Sequence, residues 1–170
     1  MNLVHRNRLS EDTFKGVNWN YWAKTTITDN VAKGEAKLFA AAVTGLNGNI
    51  SDGGKLSTVY AHVVLGMGFL VHSKEVADIE LLLNGILCSL KVGGKDVVEN
   101  ILAKMLPCDV GVIAGAATTV AATTINPGHA RGPRFNFGDY LPVIKAGELV
   151  EANINGPSAI DMTGNVDVSL

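Results

Sequence analysis

Charge is scarce in this chain. Asp, Glu, Lys and Arg make up 18% of its 170 residues and sum to −2 at pH 7, against ~25% charged residues in an average globular domain. So weak a field excludes whole-molecule attraction to nucleic acid or to an anionic membrane, and any such contact has to be local. Cysteine is rarer still. Cys88 and Cys108 stand in no metal-type or redox-type spacing, which excludes a zinc framework and a disulfide scaffold and predicts buried thiols. The first eight residues contain no apolar h-region, so no secretory signal is read and intracellular assembly is expected.

Long uninterrupted apolar runs are also missing. From Leu56 to Ser73 no Asp, Glu, Lys or Arg occurs, a stretch at the lower limit of ~17–25 residues for a spanning helix. His62, His72, Gly66, Gly68, Ser57, Thr58 and Ser73 interrupt it, and neither an interfacial Trp nor a basic cluster flanks it. A core helix is the expectation, and a membrane-embedded protein ranks only third among the functional readings.

Catalytic signatures are absent in the same way. There is no Gly-x-Ser-x-Gly elbow, Cys88 sits among leucines, and Asp109 beside Cys108 would raise rather than lower a thiol pKa. His62 and His72, ten residues apart, would lie ~15 Å from each other along a helix, too far to share an ion. Gly66-Met67-Gly68 and Gly93-Gly94-Lys95 fall short of a dinucleotide or phosphate loop and read as helix punctuation. No catalytic residue, metal or cofactor is assigned, and the chain is not read as an enzyme.

What is present is apolar and periodic. Hydrophobic residues reach 47% and the mean hydropathy is +0.23, high for a soluble monomer. Asp29 or Asn30 is placed to cap a helix running to Leu46, with Leu38, Phe39, Ala42, Val43 and Leu46 on one face. Val59, Tyr60, Val63, Val64, Met67 and Val71 repeat at helical spacing. Ser73 would cap a third helix carrying Val76, Ile79, Leu83, Ile86, Leu87 and Leu90. Gly93-Gly94 would separate it from a fourth, with Val97, Val98, Ile101, Leu102, Met105 and Leu106 buried and Pro107 at its end. Gly111 to Ile125, built from small residues, reads as a fifth helix with Ala114, Ala117, Thr118 and Ala121 on one face. Leu141 to Ile144, Leu149-Val150 and Val166 to Val168 are short strand candidates, with a turn at Lys145 to Glu148. The sequence therefore predicts a mostly α fold: a four- to five-helix core with an irregular N-terminal arm and a short β-like or extended C-terminal segment, α+β being the alternative. The arm is 1–28, the helical core 29–125, and the Gly/Pro loop with the C-terminal segment 126–170.

Two places concentrate residues suited to contact. The stretch from Asn126 to Tyr140 contains three Gly, two Pro, His129, Arg131, Arg134, Phe135, Phe137 and Tyr140. The arm carries Arg6, Arg8, Trp19, Tyr21 and Trp22. The planar guanidinium suits carboxylate or phosphate, and the aromatics suit stacking or interface anchoring. Arg6, Arg8, Arg131, Arg134, Phe135, Phe137 and Tyr140 are the expected contacts to nucleic acid or to a neighbouring subunit, and Trp19, Tyr21 and Trp22 the expected interface anchors. The expected function is that of a self-assembling structural protein, a viral coat or capsid subunit. Its partners would be many copies of itself and an RNA or DNA backbone. The alternative is a small-molecule enzyme or binding protein with an anion site in the 126–140 loop, built on His129, Arg131, Arg134 and Asp139.

Overall fold

The computed structural model describes residues 2–5, 21–42, 44–50, 52–73, 75–106, 108–109, 137 and 139–170. Among them the fold is mostly β, and the expected helical core is overturned. Eleven strands occur: β1 (Asn2–His5), β2 (Lys24–Ile27), β3 (Gly34–Lys37), β4 (His62–Val63), β5 (Phe69–His72), β6 (Leu87–Val92), β7 (Lys95–Leu102), β8 (Cys108–Asp109), β9 (Tyr140–Ile144), β10 (Val150–Gly156) and β11 (Val166–Ser169). One α-helix, α1 (Val76–Gly85), joins β5 to β6. The strands form three sheets in the orders β1-β9-β4, β3-β10-β6-β7 and β2-β11-β5-β8. Every pairing is antiparallel except β5 with β8.

The two four-stranded sheets share one core. Cys88, Leu90 and Val92 on β6, Val98 on β7, and Val150, Ala152 and Ile154 on β10 face the same cluster as Ile27, Phe69, Val71, Val166 and Val168 of the other sheet. Alternation along each strand sends these side chains inward and their neighbours outward. Each fully buried side chain of this size contributes about 1.5–3 kcal/mol. Helix α1 adds Ile79 and Leu82 to that cluster. Among the described residues it is the one expected helix that forms. Its apolar stripe ends at Gly85, and Leu87 and Leu90 belong to β6. Ser73 does not cap it directly; its hydroxyl accepts the Glu75 N–H at 3.1 Å, just ahead of the first turn.

The other expected helices fail for identifiable reasons. Asn30 and Gly34 hold left-handed φ angles of 55° and 64°, which no right-handed helix accommodates. Asp29 accepts the Met162 N–H at 2.7 Å instead of capping a helix. Residues 56–73 form a loop followed by β4 and β5, with Phe69 and Val71 buried and His72 outward. Among the described residues no helix is long and apolar enough to cross a membrane. Residues 95–102 are a strand with two register shifts, so that Val98 opposes Leu90 and Ile101 opposes Cys88. Such bulges place residues three apart on one face and imitate helical spacing. Gly93 and Gly94, at φ 57° and 74°, form the two-residue hairpin between β6 and β7, since both central residues of that turn need positive φ. The helix expected at 111–125 lies outside the described residues.

The two ends of the chain meet in the sheets. Residues 2–5 pair with 140–143, and 24–27 pair with 166–169, so the described parts of the N-terminal stretch include regular strands where an irregular arm was expected. The strand candidates at 141–144 and 166–168 are present as parts of β9 and β11, and Val150 opens β10. They are not an appendage to a bundle: β10 lies between β3 and β6, and β11 between β2 and β5.

Candidate functional site

The aromatic residues of residues 21–22 are held by the chain itself. The Tyr21 hydroxyl donates to the Leu56 carbonyl at 3.3 Å, and its ring meets His62 edge-on at 5.5 Å. Burial raises the Tyr21 pKa and lowers that of His62, which favours the neutral imidazole. Trp22 is held through its backbone by Asn49: its main-chain N–H donates to Asn49 Oδ1 at 2.8 Å, and its carbonyl accepts the Asn49 N–H at 3.1 Å. Phe137 packs against the core cluster. Tyr140 is exposed and meets His5 edge-on at 5.1 Å across the β1–β9 pair. Arg6, Arg8, Trp19, His129, Arg131, Arg134 and Phe135 lie outside the described residues; Asp139 is exposed.

Acidic residues of the C-terminal third already have partners within the chain. Asp167 binds Lys24 Nζ at 2.7 Å and accepts the Thr26 hydroxyl at 2.6 Å. Glu151 lies 3.5 Å from Lys37 Nζ, and Glu148 accepts the Lys145 N–H at 2.8 Å. The contact to Asp167 is written into strand register, because Thr26 directly opposes Asp167 and Lys24 opposes Ser169 across β2 and β11.

On the other side of β11, His72 opposes Asp167, and its Nε2 lies 3.2 Å from Ser169 Oγ. Sequence reading missed this Ser, His and Asp grouping, because 97 residues separate its halves. Chemically it invites comparison with a nucleophile, base and orienting acid. The geometry does not fit that role. Ser169 is buried, and the Asp167 oxygens are bound by Lys24 and Thr26, with no hydrogen bond to His72. Those two hydrogen bonds hold the Asp167 carboxyl below its ordinary range. Desolvation and the nearby Lys24 charge lower His72, against the pull of Asp167. The cluster is a cross-strand clamp. Among the described residues no three His, Cys, Asp or Glu are placed to share a metal ion.

Apolar side chains held out in solvent form the more prominent surface. Val59 and Tyr60 are each 71% exposed, yet their loop is fixed. The Ser57 hydroxyl accepts the N–H of both, at 3.1 and 3.0 Å, and the Ser57 carbonyl accepts the Gly147 N–H at 2.8 Å. Leu3 and Tyr140, exposed on the same face of the β1–β9 pair, make a second group. Leu46 is 88% exposed in a single 3-10 turn. Compared with protein families, characterised proteins and solved structures, the chain matches none.

Proposed function

We propose that this chain is a structural protein that assembles from many copies of itself, in the manner of a viral coat or capsid subunit. The observation that carries the reading is the loop pinned by Ser57, which presents Val59 and Tyr60 to solvent in a set geometry. A mobile loop would lose conformational entropy on docking, whereas a pinned one has already lost it. Tyr is among the residues most favoured at the centre of interfaces. Two further features support it. Among the described residues β1 lies at the edge of its sheet and carries exposed Leu3, and a sheet edge with apolar side chains can serve as a template for another chain. The charge-poor composition leaves the surface little to repel a second copy.

In this reading Arg6, Arg8, Arg131 and Arg134, together with Phe135, Phe137 and Tyr140, are the proposed contacts to an RNA or DNA backbone or to a neighbouring subunit, and Trp19 with its neighbours the proposed anchors. Size-exclusion chromatography with light scattering, electron microscopy and the 260 to 280 nm absorbance ratio tests the proposal. Large particles are expected; a clean monomer at tens of micromolar would overturn it.

A further inference from the structure

The outer face of the β3-β10-β6-β7 sheet contains a polar cavity of about 200 Å³. By the same measure a single water needs ~10–15 Å³, so the cavity has room for one small solute. Asn153, on the interior strand β10, lines it and is only 2% exposed. Neither its Nδ2 nor its Oδ1 has a hydrogen-bond partner among the described residues. A buried carboxamide left unmatched is destabilising, and native proteins retain few such groups. Register explains why it points there: Asn153 directly opposes Ser89 on β6 and Lys37 on β3, so all three share the face turned away from the core.

The surrounding groups narrow the chemistry of the guest. Glu35, Asp96 and Glu99 line the cavity against a single cation, Lys91, which itself lies 3.6 Å from Asp96. That balance repels an anion. A metal ion, an ammonium or a guanidinium would satisfy Asn153 Oδ1 but offers nothing to accept the Nδ2 hydrogens. A hydroxyl group both donates and accepts, and neighbouring hydroxyls on one ring match a carboxylate and a carboxamide side by side. Ser89, Asn100 and Asn155 add further donors and acceptors to the same cavity. We infer that this cavity is a binding site for a neutral polyhydroxylated ligand, one sugar ring in size, with Asn153 at its centre. The inference does not depend on assembly.

Titration of the isotope-labelled full chain with glucose, galactose, mannose and N-acetylglucosamine, followed by NMR, tests it. At least one sugar should give saturable shifts at the Asn153 carboxamide and at the Ser89 and Asn155 amides. Affinity should be in the millimolar range, because a small polar guest has few atoms to contribute. Asn153→Leu keeps the branching and heavy-atom count of the side chain and should fold, yet weaken binding by at least roughly tenfold. Ser89→Ala, a smaller change, should weaken it less. Absence of saturable shifts with all four sugars at tens of millimolar would overturn the inference and leave a cavity that holds water. Saturable shifts at these residues with putrescine, guanidinium or calcium but with no sugar would overturn it in favour of a cation site.

Discussion

Asp78 and Thr163 are 85 residues apart in sequence and joined by two hydrogen bonds. One oxygen of the Asp78 carboxylate accepts the Thr163 N–H at 3.0 Å, and the other accepts its hydroxyl at 2.5 Å. Asp78 is buried in the first turn of α1, so the pair ties the helix to the loop between β10 and β11. Removing the carboxylate leaves the N–H and hydroxyl of Thr163, an exposed residue, to be taken up in part by water. Asp78→Ala should therefore cost about 2–4 kcal/mol, at ~1.5–3 kcal/mol for each bond to a charged group with partial compensation by water. Thr163→Val, which keeps the N–H bond, should cost about half as much. Urea denaturation measures both, and a larger loss for Thr163→Val would contradict the assignment.

Gly94 distinguishes a hairpin from a helix by the sign of one substitution. In a helix interior Gly→Ala stabilises by ~1 kcal/mol. At φ 74°, with open space around a would-be Cβ, the only effect is backbone strain. Gly94→Ala should destabilise by about 1 kcal/mol or more. Gly93→Asn should be tolerated better than Gly93→Val, because Asn adopts the left-handed region far more readily than a β-branched residue.

Acid should weaken the fold through β11. Asp167 and His72 both have lowered pKa values in the folded chain, so the unfolded chain binds more protons over both ranges and stability rises with pH. On acidification the His72 contribution fades as pH drops below its unfolded value of ~6.5, and the Asp167 contribution below ~3.9. Each loss is complete once pH has passed the folded value. Asp167→Asn should flatten the acid limb of a thermal-melting profile recorded against pH. The change should be modest, because the Asp167 side chain is 34% exposed and solvent screens the pair. An unchanged limb would mean that the Lys24 pairing does not stabilise the fold.

Surface contact should centre on the pinned loop. The double change Val59→Ser and Tyr60→Ser removes two exposed apolar side chains and leaves the Ser57 bonds to their backbone intact. Melting temperature should change little, since surface substitutions usually fall within ±0.5 kcal/mol. Particle size by light scattering should fall. Ser57→Ala should act in the same direction more weakly, by loosening the loop.

Some of this structure was legible along the chain. The Leu141 to Ile144 and Val166 to Val168 strands, the turn at Lys145 to Glu148 and the helix beginning near Val76 follow from local pattern and turn residues. Other segments misled because β-sheet irregularity copies helical spacing. Val98 and Ile101 face one core only because a register shift lies between them, and Gly93-Gly94 ends a helix and turns a hairpin equally well. Of the expected contact residues, only Tyr21, Trp22, Phe137 and Tyr140 are described, and Tyr21 is engaged with Leu56 and His62. Neither the clamp at Asp167 nor the cavity at Asn153 had a local signal, since each assembles from strands distant in sequence.

By itself the sequence determined what the chain could not rely on: a strong net field, a cysteine scaffold or a known catalytic motif. It also determined a high apolar content that must be buried somewhere. Tertiary structure alone decided where. Long-range pairing, such as β2 with β11 and β3 with β10, placed β10 and β11 in the interior of two sheets and gave their side chains an inward or outward face. The physical reason is that a strand's hydrogen bonds are made to another strand, so its stability and its facing depend on residues that no local window contains.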